Sequence, residues 1–241
     1  MEFQWIIRAS HKKAYQDFID QYKDHDFVRS RVARNIKHVD VTISKGIFWE
    51  ALLGCFLTTQ QRSGKGSRVE LFLKSGDALL DVDHCLKLSN LKNVAETSLA
   101  KNGLRRTERI AAEIDHAATQ LKTVGWHHIR SQLETIASHT TANKERIVAH
   151  FLKEHFLGLG PKQSRNLIQW MGLSKYEIPL DSRMVKVLRD LTFPVPLSPT
   201  ALADEGYYCF IEDAIQLLMA QINVYPCVFD ACAFASFEKN A

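Results

Sequence analysis

Lys162 and Asp181 are the two residues whose type and position most favour chemistry. Lys162 follows Pro161 in the predicted first turn of a helix, where the positive end of the helix dipole disfavours a charged ammonium group. A neutral amine is a nucleophile toward an electron-poor carbon. The alternative is that Lys162 is an ordinary solvated charge, which is the usual situation of a lysine at a helix end.

Asp181 precedes an apolar stripe at helical spacing, formed by Met184, Leu188 and Leu191. Aspartate is a common N-cap, so a purely structural explanation is available for this residue as well. Asp181 follows Lys162 by nineteen positions. The two together favour an amine-and-carboxylate site more strongly than either does alone.

A glycine turn is predicted to position Lys162. Gly158 and Gly160 flank Leu159, after an apolar helical stretch and before a helix that begins at Pro161, where a missing N–H costs nothing. Backbone N–H groups at such a turn form a site for phosphate, and a hairpin of this kind grips a DNA backbone without reading its sequence. The alternative is that the glycines only allow two helices to turn sharply.

The rest of the sequence predicts an all-α protein. All six prolines lie at or beyond position 161, and segment 107–121 places its apolar residues at helical spacing. The apolar run 47–57 is too short to span a bilayer and predicts a buried central helix. Gly172 is expected to end the helix after the hairpin with a left-handed cap.

Composition sets wide bounds on function. The chain has 241 residues, 46% hydrophobic and 24% charged, and its net charge of +4 permits nucleic-acid binding without requiring it. Five cysteines without metal-ligand spacing argue against a complete disulfide framework and for a reducing compartment. No secretory signal is found and no apolar stretch reaches about 18 residues, so no membrane is expected as a partner.

The segment GLGPK, followed by the aspartate of IPLDSRM, resembles the signature of the helix-hairpin-helix DNA glycosylase superfamily. Residues 157–162 match its apolar, Gly, apolar, Gly, any residue, Lys pattern, and Leu180 with Asp181 matches its hydrophobic-Asp element. Through GLGPKQSRNLIQWMG and FLTTQQ the chain is most similar to the small bacterial and archaeal 8-oxoguanine glycosylases. The similarity covers roughly 45–191, and a weaker similarity is found in the C-terminal segment VYPCVFDACAFASFE.

The resemblance implies a bifunctional DNA glycosylase and AP lyase of base excision repair. Its partner is double-stranded DNA containing a damaged base, with 8-oxoguanine as the favoured lesion, or an abasic site. The base is extruded from the duplex into a cleft between two helical subdomains. Lys162 then attacks the sugar C1′ and forms a Schiff base that leads to strand cleavage by β-elimination, while Asp181 stabilises positive charge on the sugar.

The same resemblance suggests an arrangement of the chain and its DNA contacts. A central subdomain is expected at 45–145, and a second at 1–44 plus 146–241, with the helix-hairpin-helix at about 147–171. One residue of Gln60, Gln61 and Arg62 is expected to fill the gap left by the extruded base, although a polar loop at a helix end is an equal alternative. Candidate phosphate contacts are Gly158, Gly160, Arg105, Arg106, Arg109, Arg165 and Lys65.

Asn166, Phe48, Trp49 and Asp230 are candidates for the base pocket, although aromatic and acidic residues at helical spacing more often belong to a core. Too few clustered C-terminal cysteines are present for an iron-sulfur cluster, so no cofactor is expected. His127 and His128 lack further ligands at metal spacing, and no metal is assigned to them. A monovalent cation held by hairpin carbonyls is compatible with the resemblance.

Two other classes of protein compete with a glycosylase. A helix-hairpin-helix protein that binds DNA without chemistry would need neither Lys162 nor Asp181. An unrelated helical interaction protein predicts no affinity for abasic-site DNA and no steep dependence of binding on salt. The glycosylase is expected to act as a monomer in the cytoplasm, associated with the nucleoid.

Overall fold

The computed structural model describes residues 4–62, 64, 66–137 and 139–238. Across these residues the regular secondary structure is entirely helical, as the sequence predicts. The α-helices are α1 (Ala9–Tyr22), α2 (Asp26–Arg31), α3 (Lys45–Leu57), α4 (Arg68–Leu73), α5 (Val82–Cys85), α6 (Leu91–Lys101), α7 (Thr107–Gln120), α8 (Trp126–Glu134), α9 (Ala142–His155), α10 (Pro161–Trp170), α11 (Ser182–Asp190), α12 (Glu205–Gln221) and α13 (Pro226–Ala235). Two π-helical turns (Val32–Ile36, Leu121–Gly125) and two 3-10 turns (Ala78–Leu80, Ala201–Ala203) complete the set.

Short polar side chains begin several of these helices. Ser44 accepts a hydrogen bond from Ile47 N at the start of α3, and Thr141 accepts one from Lys144 N at the start of α9. Such caps satisfy backbone donors that have no partner within the helix. The helix before the hairpin therefore begins at a defined residue, Ala142, a few positions earlier than the sequence pattern suggests.

The buried apolar residues form two clusters. The first core runs from Phe48 to Leu173 and is built from α3 to α10. The second core combines α1 and α2 with α11, α12 and α13, together with Ile178 and Leu180. The hairpin helices α9 and α10 bury their apolar faces in the first core, so the division between the cores falls after Leu173. The subdomain boundary at 145 remains a prediction.

The buried central helix predicted at 47–57 is confirmed as α3, and nearly every side chain from Phe48 to Leu57 is buried. This burial contradicts the assignment of Phe48 and Trp49 to a base pocket, since both are 0% exposed. Phe48 packs against Phe156 with ring centroids 5.5 Å apart, and Trp49 Nε1 donates to Leu79 O at 2.7 Å. Both aromatic residues are components of the first core.

Helices α3 and α10 cross in close contact. A Cβ at Gly54 would lie 2.2 Å from Trp170 Cη2, so only glycine lets the indole pack flat on α3. Two turns earlier, Gln163 Nε2 donates to Cys55 O at 2.7 Å. Contacts at both ends of α10 therefore fix the position of Lys162, which lies next to Gln163.

Among the residues described, no single helix has the length and hydropathy needed to cross a bilayer. Helices α12 and α13, bent by 97° at the break between them, meet the criterion only as a pair.

Candidate active site

The hairpin between α9 and α10 has the geometry that its glycines predict. Gly158 has φ +90°, and a Cβ there would lie 2.5 Å from Cδ of Glu113, so both backbone and packing require glycine. Leu157 N donates to Nδ1 of His116 at 3.3 Å, which joins the turn to α7. Gly160 differs, because its φ is −85° and an added Cβ would meet nothing within 4 Å. The space beside Gly160 is open to a ligand.

Lys162 lies in the first turn of α10, as predicted, and is partly buried. Its Nζ is 3.3 Å from Oε1 of Gln163, whose Nε2 donates to Cys55 O and to Thr59 Oγ1 at 2.8 Å. The amine therefore lies near the C-terminal end of α3. Within the described ranges Lys162 has no ion pair with a carboxylate, in contrast to Lys153 and Lys186 on the neighbouring helices.

The thiol of Cys55, on α3, lies close enough to Lys162 to be affected by its charge. Burial raises the pKa of the Cys55 thiol to about 12, although the charge of Lys162 and a hydrogen bond from Asn166 oppose the rise. Asn166 Nδ2 is 3.5 Å from the sulfur and 3.3 Å from Gln163 Oε1. The predicted pocket residue Asn166 thus lies on the same face of α10 as Lys162, with its side chain toward α3.

Asp181 is the N-cap of α11, as the sequence predicts. Its Oδ1 accepts from Arg183 N at 2.9 Å and Met184 N at 3.0 Å. Its Oδ2 accepts from Arg183 Nε at 2.9 Å and Nη2 at 2.6 Å. The Arg183 guanidinium also lies over the ring of Phe234, 4.2 Å from the centroid. The carboxylate is therefore held in one orientation at a positive helix end.

Asp230 is buried in the second core and pairs with Arg31 Nη1 at 3.0 Å. Burial raises the pKa of Asp230, the Arg31 charge opposes that rise, and the charge of Asp181 adds to it. The two aspartates therefore interact electrostatically. The assignment of Asp230 to a base pocket stays a prediction.

Three residues in the polar turn after α3 were predicted to fill the gap left by an extruded base, and they differ in exposure and contacts. Gln60 is exposed with φ +58°, a left-handed conformation that is uncommon for a residue other than glycine. Oε1 of Gln61 accepts from Arg105 N at 3.1 Å, so that side chain is engaged inside the protein. Arg62 lies at the exposed end of the turn. Of the three candidates, Gln60 and Arg62 have exposed side chains.

The arginines after Gly103 lie beside this turn. Arg105 is exposed, and Arg106 Nη1 donates to Thr59 O at 3.3 Å. Arg109 is also exposed but pairs with Glu113, whose side chain packs against Gly158. These arginines therefore connect the turn after α3 with the hairpin. The predicted phosphate contact Lys65 lies outside the described residues.

The assignment of Arg165 as a phosphate contact is wrong. Arg165 is 0% exposed, and its guanidinium pairs with Glu177 at 2.9 Å, Glu212 at 3.3 Å and Glu205 at 2.7 Å. Arg165 lies one turn from Lys162 on α10, but the carboxylates of residues 177, 205 and 212 enclose it. Because Arg165 is fully buried, its guanidinium cannot contact a phosphate at the protein surface.

Arg183, Gln163 and Thr59 contribute to the site but are not among the residues predicted for it. Arg183 follows Asp181 by two positions, a spacing that lets a side chain reach back to an N-cap carboxylate, so it was open to prediction. Gln163 and Thr59 meet across 104 positions of sequence, and no local pattern relates them. In the described part of the chain no group of three or more His, Cys, Asp or Glu residues is arranged to hold a metal ion.

The fold is that of solved 8-oxoguanine DNA glycosylases. The 8-oxoguanine DNA glycosylase of Methanocaldococcus jannaschii matches with a TM-score of 0.66 and 16% identity, over 97% of each chain. The 8-oxoguanine glycosylase/lyase of the same organism, solved with a 15mer DNA containing 8-oxoguanine, matches with a TM-score of 0.68 and 15% identity, over 93% of this chain and 98% of that one.

The 8-oxoguanine DNA glycosylase of Thermotoga maritima has a TM-score of 0.66 and 14% identity, over 96% of this chain and 98% of its own. No family model matches the chain, and no curated protein matches it by sequence. The resemblance deduced from the hairpin is thus confirmed at the level of the fold, which extends across nearly the whole chain.

Proposed function

We propose that this protein is a bifunctional DNA glycosylase and AP lyase that excises an oxidised purine, 8-oxoguanine in the first instance. The observation that carries the proposal is the Lys162 amine. It is partly buried, lies in the first turn of a helix directly after a glycine hairpin, and has no carboxylate partner in the described residues. The fold shared with 8-oxoguanine glycosylases supports the same assignment.

The hairpin supplies the contact with the DNA backbone. N–H groups at the start of α10 and the positive end of that helix favour a phosphate, and the open space beside Gly160 lets one approach. Gln60 or Arg62 enters the duplex and the damaged nucleotide leaves the stack, because a stacked base keeps its glycosidic bond out of reach.

The chemistry follows from an amine and a carboxylate acting on one sugar. As the glycosidic bond breaks, the base departs with the bonding electron pair, and Asp181 stabilises the positive charge that develops on the sugar. The lone pair of Lys162 forms a bond to C1′. Loss of the amine proton and opening of the sugar ring give a Schiff base. Removal of a C2′ proton then expels the 3′ phosphate, which cleaves the strand.

The test is borohydride trapping on duplexes that contain either 8-oxoguanine or an abasic site. Wild-type protein is expected to give a covalent adduct on both, and Lys162→Gln on neither while it still binds the abasic duplex. Lys186→Gln is the matched control, since Lys186 is an exposed lysine on α11 that pairs with Asp190. That control should trap as wild type does.

Each outcome separates the competing classes. An adduct on the abasic duplex alone would support the lyase and reject 8-oxoguanine as the substrate. Tight binding without any adduct would identify a helix-hairpin-helix protein that holds DNA without chemistry. Absence of binding at low salt would leave an unrelated helical interaction protein.

A further inference from the structure

The backbone that leads into Asp181 is held by side chains of another helix. Segment 171–181 contains no regular secondary structure after its first turn. Ile178 N donates to Glu212 Oε1 at 2.9 Å, and Leu180 N donates to Tyr208 Oη at 2.7 Å. Tyr208 Oη in turn donates to Ile178 O at 2.9 Å. Pro179, between them, has no N–H to satisfy.

Tyr208 and Glu212 are four positions apart on α12 and therefore lie on one face of that helix. Both are 0% exposed. Together they satisfy the backbone donors of 178 and 180, as a neighbouring strand would do in a sheet. Asp181 N then closes a turn onto Pro179 O at 3.0 Å. The tyrosine hydroxyl is consequently bonded on both sides of the proline that precedes the carboxylate.

The same face of α12 is joined to the helix of Lys162. The Arg165 guanidinium lies over the Tyr208 ring, 5.0 Å from its centroid, and its Nε is 3.3 Å from Glu212 Oε2. Arg165 also pairs with Glu177, which immediately precedes Ile178. Because Arg165 and Lys162 are three positions apart on α10, one buried network relates the amine to the carboxylate.

We propose that Tyr208 is a positioning residue for Asp181, acting through the 178–180 backbone to hold the carboxylate at a fixed place relative to Lys162. The inference rests on the proposed glycosylase function. Without the hydroxyl, Leu180 N and Ile178 O lose their partner and the turn before Asp181 relaxes. A small displacement of a catalytic group lowers the rate of the chemical step while substrate binding elsewhere is unaffected.

The test compares Tyr208→Phe with Tyr15→Phe. Tyr15 also lies in the second core at 3% exposure, but its hydroxyl has no hydrogen-bond partner among the described residues, so it is a matched control for losing a buried hydroxyl. Single-turnover excision of 8-oxoguanine is expected to fall about tenfold in Tyr208→Phe, which corresponds to about 1.4 kcal/mol in the barrier. Tyr15→Phe should stay within about twofold of wild type.

Two further measurements separate positioning from general damage. Affinity for a duplex with a stable abasic-site analogue should be unchanged in Tyr208→Phe. Borohydride trapping on a true abasic site should also be nearly unchanged, because no base has to depart there and no positive charge develops on the sugar through such a departure. In the Asp181→Asn background, Tyr208→Phe should add less than about a twofold further loss of excision, since contacting groups that act as one unit are not additive.

Several outcomes would overturn the inference. These are an unchanged excision rate in Tyr208→Phe, an equal loss in Tyr15→Phe, or a full additional loss in the Asp181→Asn background. If Tyr208→Phe does not fold, Glu212→Gln takes its place. Gln keeps an oxygen that accepts from Ile178 N. We therefore expect a smaller loss of excision rate than in Tyr208→Phe, again with unchanged affinity for the abasic-site duplex. If wild type itself excises nothing, the proposed function fails first and this inference falls with it.

Discussion

The hairpin that carries Lys162 and the segment that carries Asp181 hold their functional residues in different ways. Gly158 gives the hairpin its left-handed bend, Pro161 begins α10, and Lys162 follows directly. The segment before Asp181 contains no comparable local motif. Donors at 175, 176 and 177 bond to Glu145 on α9, and those at 178 and 180 bond to α12.

The difference concerns where the stabilising groups lie in the sequence. Residues that set the hairpin are neighbours of Lys162, so their spacing is visible as a motif. Partners of the Asp181 segment lie about thirty positions away on either side. Irregular backbone can be buried only when its N–H and C=O groups find such partners. The segment before Asp181 therefore depends on buried side chains from distant parts of the chain.

The largest effect is expected from Glu145→Ala. Oε2 of Glu145 accepts from Ser174 Oγ, Tyr176 N and Glu177 N, and Oε1 accepts from Lys175 N, all within 2.9 Å. Removal of the carboxylate leaves the N–H groups of residues 175, 176 and 177 without this partner, and we expect a loss of about 3–5 kcal/mol in the free energy of unfolding. Urea denaturation measures it.

Glu134→Ala is the control for this substitution, because Glu134 is a surface glutamate in a pair with Arg130. It should change the free energy of unfolding by no more than about 0.5 kcal/mol. Equal losses in the two variants would show that the Asp181 segment does not depend on its distant partners.

The next effect concerns the hairpin. In Gly158→Ala the alanine must adopt φ +90° and also displace Glu113. We therefore expect a loss of about 1–3 kcal/mol in the free energy of unfolding. Gly125→Ala has nearly the same backbone, with φ +86°, and open space around the new methyl. Its free energy of unfolding should fall only by the cost of the left-handed backbone conformation, about 1 kcal/mol. Thermal melts that rank Gly125→Ala as the more damaging would refute the steric contribution.

A pH dependence tests the buried charges on α12. Burial, followed by the neighbouring Glu177 carboxylate, raises the pKa of Glu212 well above its usual value of 4.5, against the opposing charge of Arg165. The folded protein then binds this proton more tightly than the unfolded chain does, so the Glu212 contribution to stability falls as pH rises above 4.5.

Glu212→Gln has no such proton to lose. Relative to wild type its free energy of unfolding should rise as the pH increases above 4.5. Urea titrations of both proteins across that range check the sign. Parallel curves would mean that Glu212 does not change protonation there.

The smallest change in stability is expected at Gly160. Its φ is −85° and an added Cβ meets nothing within 4 Å, so Gly160→Ala should stay within about 0.5 kcal/mol of wild type. Affinity for an abasic-site duplex should nevertheless fall about tenfold, because the methyl occupies the space through which a phosphate approaches the helix end. Gly46→Ala, equally open at the start of α3, should leave the affinity unchanged.

Local sequence was sufficient for much of the fold. Proline distribution and apolar periodicity predict an all-α chain, and Pro161, Gly172 and Asp181 occupy the helix start, the left-handed cap and the N-cap expected of them. These predictions succeed because each depends on backbone conformation within a few residues. The hairpin motif was specific enough to predict the overall fold that the solved glycosylases share.

Three of the predicted site residues have surroundings that the sequence did not indicate. Arg165 lies on α10 with Lys162, and Phe48 and Trp49 lie near the start of the central helix α3, yet all three are fully buried. Periodicity tells which residues share a face of a helix but not what packs against that face. Gln60 and Gln61 are neighbours of the same type, and only the contact from Arg105 distinguishes the exposed side chain from the engaged one.

Local sequence patterns predict the all-α class, the glycine hairpin and the placement of an amine and a carboxylate at two helix starts. Those features follow from short-range conformational preferences, which a linear pattern contains. The three-dimensional packing was needed to show that Glu145, Tyr208 and Glu212 hold the backbone before Asp181 and that Arg165 is enclosed by carboxylates. A buried polar group is satisfied by whatever donor or acceptor the fold brings to it, and that partner lies anywhere in the chain.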